Sequence, residues 1–488
     1  MKETIETQIS ANGLITLTDK GREALSKEKY FNNSLAPTTF TERNWNSFNI
    51  CMCWVGMNIC IPAYQLASSS ITLGLSWWVS LLLVFLGNLI ILVPILLNSK
   101  VGVKYGIPFP VYSRLSFGIK GAQIPNVLRS IIGAIWTGIL IWIGAEAMQV
   151  AMEILFPTWA TFRYGQVVCF IFFWLLNIGT AYGGAPILKK CANFGAPILV
   201  AVCIFLLIWG ATASKQAGYS VFAPLLSLDN NNSVNIGTTV ILCLVANISF
   251  YSTWALNIPD LSRYAESQKA QFKGLIIGLP LSMMFIALVG IYVTGASKLL
   301  FGTPMWSPND IVRHLDSNLS AFISAFAIML ATLTTNVTTN ILPPANGFSN
   351  LWPRKISYKT GVILTGIVAF AIQPWKLVSD PSGYIYDWLG TYGILTGGLA
   401  GIYIYDYFVL KRQQVHLTEL YLQHNSSYWY FQGYNITALL AWIGSISLPL
   451  LGKIIPSINV FATYGWLISF FWGLALYAVM TKKTWLNE

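Results

Sequence analysis

The chain has 488 residues, 55% of them hydrophobic and only 10% charged, with a formal net charge of +11. A soluble domain carries about 25% charged residues, so this composition excludes a soluble enzyme or a soluble nucleic-acid-binding domain. The solvent it suits is lipid.

The first 40 residues are polar and mixed in charge, with no apolar core of a cleavable signal peptide. Residues 1–44 therefore read as a cytoplasmic tail, partly disordered. No Asp, Glu, Lys or Arg then occurs from Asn44 to Ser99, which is room for two helical spans of about 20 residues each. Uncharged apolar stretches recur to the end of the chain. They predict twelve helices, near 49–70, 77–98, 127–155, 164–185, 192–213, 236–258, 272–297, 319–342, 357–373, 383–408, 433–453 and 458–480. The segments are apolar on all faces and too long for transmembrane strands, which alternate in polarity over about ten residues. The longest loop, Lys100–Asn126, is basic and rich in Gly and Pro, and is expected to run along the cytoplasmic face.

With the N-terminus in the cytoplasm and twelve crossings, 23 of the 29 basic residues fall on cytoplasmic segments. This is a positive-inside pattern. The net charge thus reports topology, with both termini cytoplasmic, rather than a nucleic-acid surface. The seven cysteines lie in or beside spans without a C-x-x-C pair and read as small buried apolar residues.

Two spans carry marks of interruption at matching places. The first has Gly56 and Pro62 in WVGMNICIPAY, and the sixth has Asn257 and Pro259 in FYSTWALNIPD. Proline frees backbone groups, and in lipid those groups need protein, ions or a water-lined cavity. Broken helices in matching positions point to a transporter's central site. Within the third span, Trp136 stands in an aliphatic stretch, where an aromatic face can bind a flat ring. Glu146, ten residues on, is a membrane carboxylate and so a candidate for proton coupling. Asn340 and Asn336 lie one turn apart in the eighth span, and Asn offers both donor and acceptor to an amide edge. Asp387 and Asp406 sit near helix ends and read as interfacial. No basic residue is expected inside the core, so a neutral substrate fits best.

The motifs APTTFTERNW, YGIPFPVYSRLSFGIKGAQIP, IWTGILIWIGAEA, LNIPDLSRYAESQ, TTNVTTNILPPA and GGLAGIYIYDYFVLKR follow one another over nearly the whole chain. In this order the sequence resembles the nucleobase–cation symporter-1 family, which includes permeases for cytosine, purines, uracil, allantoin, thiamine and hydantoins. The resemblance implies an all-α polytopic fold of twelve transmembrane helices. Five plus five form an inverted repeat of leucine-transporter type (about 45–214 and 236–410), and two extra helices follow (about 433–480), in one membrane domain over 45–484. It implies alternating access around a site made by spans 1, 3, 6 and 8. Trp136 matches the position that stacks on the substrate ring. Tyr251 stands where hydantoin-type members place a second tryptophan, with Phe250 beside it, and Asn340 matches a substrate-binding asparagine. Two positions depart: Leu140 stands where many members carry Gln, and Cys60 where some carry Gln or Asn. Asn58 is the residue that can compensate. For a sodium ion, the matching ligands are the carbonyls of Gly56, Ile59 and Ala331 and the hydroxyls of Thr334 and Thr335.

Together these readings predict a secondary active transporter of the bacterial inner membrane. It imports a small neutral planar nitrogenous ring compound by symport with Na+, or alternatively H+, and is a monomer in lipid without a cofactor. The other reading is an amino-acid or amine transporter of the same fold superclass, against which the stacking aromatics count. An enzyme is not expected: no His lies in a span, and neither H-E-x-x-H nor G-x-S-x-G occurs.

Overall fold

Lipid requires every backbone hydrogen bond to close within the segment, and helices accordingly carry the apolar runs. The computed structural model describes residues 7–184, 186, 190, 193, 195–228, 236–315, 317–378 and 387–485. The expected start of the tenth span, 383–386, lies outside the described residues. Among those described, nine helices are long and apolar enough to cross a bilayer, and a tenth crossing is a broken pair, Ser47–Asn58 and Ile61–Ile71, bent by 68°. Two shorter apolar helices, Gly165–Ala181 and Tyr358–Ala371, stand at the expected fourth and ninth spans. At 17 and 14 residues they fall short of the roughly 20 that a full span needs. The fold is thus the expected helical bundle, with ten full-length crossings and two shorter helices. Leu175, Phe172, Ile208 and Phe471 are exposed on its outside, as a lipid-facing surface requires.

Prolines shape the helices that meet at the centre, because each deprives the carbonyl four residues earlier of its partner. Pro343 and Pro344 end a π-helical turn, Val337–Ile341, between Asn318–Asn336 and Leu342–Leu351. The carbonyls they free are those of Thr339 and Asn340. Both are taken up by the third-span helix Gln123–Leu155: Arg129 Nη2 donates to Thr339 O at 3.1 Å, and Thr137 Oγ1 to Asn340 O at 2.9 Å. Pro259 likewise frees Ala255 O, which accepts from Asn98 Nδ2 of the second span.

The N-terminal segment is not a loose tail. Residues Thr7–Ile9 and Ile15–Leu17 pair as an antiparallel hairpin, and Asp19–Ser26 forms a helix capped by Thr18. Leu17, Leu25 and Leu35 are buried. Arg43 fastens the segment by donating to Ile15 O and Thr38 O on one side and Val103 O on the other. Asn32 donates to Pro353 O and Ile356 O, and Tyr421 to Leu35 O. The expected surface loop 100–126 is also corrected. Its helix Phe109–Phe117 is wholly buried, with Arg114 donating to Leu420 O and Asn350 Oδ1. Asp406 is buried rather than interfacial, and accepts from Ser116 and Tyr477, whereas Asp387 is exposed and pairs with Lys453 at 3.3 Å.

Candidate functional site

The break in the first span falls at Ile59 and Cys60, and Pro62 sits in the first turn of the second half. There its missing N–H costs nothing. In the sixth span the helix stops at Phe250 and resumes at Trp254. The sixth span is therefore interrupted at Tyr251–Thr253 and again at Ile258, between Asn257 and Pro259, where one short helix ends and Pro259 opens the next. With the π-turn of the eighth span and the continuous third span, these breaks surround a small cavity of about 30 Å³.

Its walls bring together Cys60, Trp136, Leu140, Phe250, Tyr251, Thr335 and Asn340. Trp136 and Phe250 meet edge to face with centroids 5.6 Å apart, and Phe250 meets Tyr251 the same way at 4.9 Å. Phe250 thus touches both of the other rings. The Tyr251 hydroxyl turns away from the cavity, donating to Asn58 Oδ1 and lying 3.3 Å from Met283 Sδ. Asn58 is not on the wall. Its amide donates to Ser282 Oγ at 2.6 Å and Leu279 O at 3.2 Å, so it ties the first break to the seventh span and aims Tyr251. Asn336 is also behind the wall, donating to Asn177 Oδ1 and Thr137 O and accepting from Asn340 Nδ2 at 3.3 Å. That bond fixes which end of Asn340 faces the cavity.

The five oxygens expected around a cation fall into two groups. Thr335 Oγ1 donates to Gly56 O at 2.7 Å, the carbonyl left open by the first break. Thr334 Oγ1 donates back into its own helix, to Leu330 O and Ala331 O. Ile59 and Ala331 line a separate apolar cavity of about 50 Å³ under Pro308. All these oxygens are neutral carbonyls and hydroxyls, a donor set that suits a hard monovalent cation; Gly56 and Thr335 already meet, and Thr334 must turn to join them.

Glu146 does not reach the cavity. It accepts from Asn309 Nδ2 at 3.4 Å, on the short helix Pro308–Val312, whose Arg313 lies 3.6 Å from Glu153. It is a fastening of the third span to the segment between spans seven and eight. A basic residue, in turn, does lie inside the core. Arg129 is 2% exposed, and donates to Asn257 Oδ1 at 2.7 Å as well as to Thr339 O. The available signal was spacing: Arg129 precedes Trp136 by seven residues, two turns on one helix face. Thr339, Thr253, Trp254 and Met57 also line the cavity without having stood out in the sequence.

The profile of a family of permeases for cytosine/purines, uracil, thiamine and allantoin matches residues 37–473. A purine-uracil permease of Arabidopsis thaliana is 35% identical over 85% of this chain and 70% of its own length. An allantoin permease of Bacillus subtilis is 29% identical over 92% of this chain and 93% of its own. Among solved structures, the nucleobase-cation-symport-1 family transporter Mhp1, in a closed conformation with bromovinylhydantoin bound, superposes with a TM-score of 0.79. It is 22% identical, over 93% of this chain and 96% of that one. A Na+-coupled sialic acid symporter shares the fold more distantly, with a TM-score of 0.62 at 13% identity over 93% of each chain.

Proposed function

The chain belongs to the family of permeases for cytosine and purines, uracil, thiamine and allantoin, and on that premise we propose that it imports a small, neutral, planar nitrogenous ring compound, such as a nucleobase, allantoin or a hydantoin, in symport with a cation. It is a membrane transporter and not an enzyme. The observation that carries the substrate reading is the aromatic cavity, or slot, whose walls include Trp136, Phe250 and Tyr251 together with the amide residue Asn340. Two aromatic faces hold a flat ring by its π surfaces, and one amide reads a donor–acceptor edge. The slot as it stands has room for about two waters, at roughly 10–15 Å³ each. A ring therefore enters only as the lining side chains move apart, and Phe250, in contact with both other rings, is one of them.

The coupling ion in this reading is Na+, with H+ as the alternative. The neutral Gly56 carbonyl beside the first break and the Thr335 and Thr334 hydroxyls of the eighth span support Na+. The protein acts as a monomer in the bacterial inner membrane, with both termini in the cytoplasm.

The test is binding of hypoxanthine, uracil, allantoin and hydantoin to the purified full-length protein, with and without sodium at fixed ionic strength. Thermal stabilisation by at least one of them, enhanced by sodium, is expected. Stabilisation by none of the four, with an amino acid or amine stabilising instead, would overturn the ring-compound reading.

A further inference from the structure

Directly beyond the slot lie three buried polar atoms with no hydrogen-bond partner among the described residues: Arg129 Nη1, Asn257 Nδ2 and Thr339 Oγ1. They belong to side chains already tied together, since Arg129 bonds both Asn257 Oδ1 and Thr339 O. Thr339 itself lines the slot, and Asn257 follows the slot residue Trp254 by one helical turn. A buried guanidinium with two neutral partners and an unfilled donor is costly, and in a membrane protein such a charge marks a pathway. Asp260, on the same stretch, holds Phe109 N and Asn346 Nδ2 with one oxygen, and its other oxygen is also unpartnered. It makes no ion pair with Arg129 within 4 Å, but its charge offsets that of the arginine, so the cluster suits a neutral acceptor better than a full anion.

The cluster runs from the slot wall, at Thr339, toward the end of the molecule that the N-terminal segment covers. On the sixth span the order is Tyr251 at the slot, Asn257, then Arg263, which donates to Ser34 O. On the eighth it is Asn340 at the slot, Thr339 beside it, then Asn346, which lines a cavity of about 220 Å³ shared with Ser34, Thr38 and Arg263. We propose that Arg129, Asn257 and Thr339 form a second subsite, which receives a carbonyl oxygen of the transported ring as it leaves the aromatic slot for that cavity. A guanidinium N–H, an amide N–H and a hydroxyl, on residues tied to one another and each without a partner among the described residues, are donors of the kind that the lone pairs of a ring carbonyl accept from. Nothing there selects a ring without one. The inference rests on the ring-transport reading above.

Its test separates binding from transport in proteoliposomes containing the full-length protein. Two pairs of probes differ by one carbonyl: hypoxanthine against purine, and uracil against pyrimidin-2(1H)-one. Wild-type protein should move the compound with the extra carbonyl faster than its partner by more than their binding ratio. Arg129→Gln should bind hypoxanthine or uracil within roughly threefold of wild type and lose that extra preference, a drop on the order of tenfold for one charge-assisted hydrogen bond. Arg129→Lys, which keeps the charge on one nitrogen, should retain part of it, and it supplies the same ratio if the glutamine variant fails to fold. A wild-type protein with no extra preference, or a binding-competent variant with the wild-type preference, overturns the subsite. Binding of none of the four probes by wild type strikes the ring-transport reading itself, a result distinct from either.

Discussion

Trp136 and Tyr251 both line the slot and both touch Phe250, and their substitutions should behave differently. Trp136→Ala removes a stacking face worth about 1–3 kcal/mol by analogy with base–aromatic contacts. Affinity for the bound ring should fall roughly 5- to 150-fold, while Trp136→Phe should keep part of it; an alanine variant that folds and binds as wild type would remove Trp136 from the site. Tyr251 is a case where the side chain's polar end faces the protein. Its hydroxyl is held by Asn58, which is held in turn by Ser282 and Leu279 O. Tyr251→Phe should therefore leave the ring's hydrogen-bonding preferences unchanged. Asn58→Ala, which strands the tyrosine hydroxyl at a cost of about 1–3 kcal/mol, should weaken all ring ligands alike, and its effect should largely vanish in the Tyr251→Phe background. Independent, additive effects in that double-mutant cycle would show that Asn58 does not act through Tyr251. At this scale the sequence offered residue types at motif positions, and the structure collected Trp136, Tyr251, Phe250 and Asn340 on one cavity. It could not offer direction: Asn58 and Asn336 read as ligands because an asparagine in a span must bond something, and here they bond protein. Arg129 was hidden by a convention of hydropathy, which assigns a charge at a span's edge to the loop.

The elements carry their function in their interruptions, and these were legible where proline made them. Pro62 and the Pro343–Pro344 pair announce the first break and the π-turn, because a missing N–H is a local fact. The break at Tyr251–Thr253 has no proline to announce it, whereas Asn257 and Pro259 mark the second interruption of the same span, one to two turns on. At the first break, Gly56 O and the Thr335 hydroxyl already meet. Thr335→Val deletes that oxygen at constant volume. Sodium should then no longer tighten substrate binding, and substrate should lose its effect on sodium by the same factor, since the coupling is reciprocal. Sodium linkage that survives in Thr335→Val would place the ion elsewhere. Glu146 makes the contrasting case. Its partner Asn309 lies on Pro308–Val312, away from the slot, and Gln in its place keeps an acceptor for that amide. Glu146→Gln should retain substrate binding and sodium-driven uptake. Loss of cation-driven accumulation with exchange intact would instead make Glu146 the proton carrier.

On the scale of the whole molecule, segments far apart in sequence converge on one end of the bundle, and this bears on orientation. Thr38 N bonds Gly106 O and its hydroxyl bonds Arg263 O. Asn32 reaches Pro353 O and Ile356 O, and Tyr421 reaches Leu35 O. The N-terminal segment and the connections after the second, sixth, eighth and tenth spans therefore share one face, as an even number of crossings between them demands. Composition foresaw this side by its basic residues, but not that residues 7–44 are folded upon it. The buried apolar positions there, Leu14, Leu17, Leu25, Tyr30, Phe31, Leu35 and Ala36, are too irregularly spaced to reveal a packed face without the partners that cover them. By sequence position 23 of the 29 Lys and Arg are assigned to this side, the buried Arg129 among them, while Arg163 and the Arg313–Glu153 and Lys453–Asp387 pairs are assigned to the other. Positive charge is retained in the cytoplasm during insertion, so the covered face should be cytoplasmic. In a background with all seven cysteines replaced, Lys27→Cys and Lys411→Cys should label only after the membrane is permeabilised. Arg163→Cys should label with an impermeant maleimide in intact cells. Labelling of Lys27→Cys and Arg163→Cys from the same side would invert or break this topology. It would also move the subsite at Arg129 to the entry side of the slot, because Arg129 and Asn257 lie from the slot-lining Thr339 toward that same face.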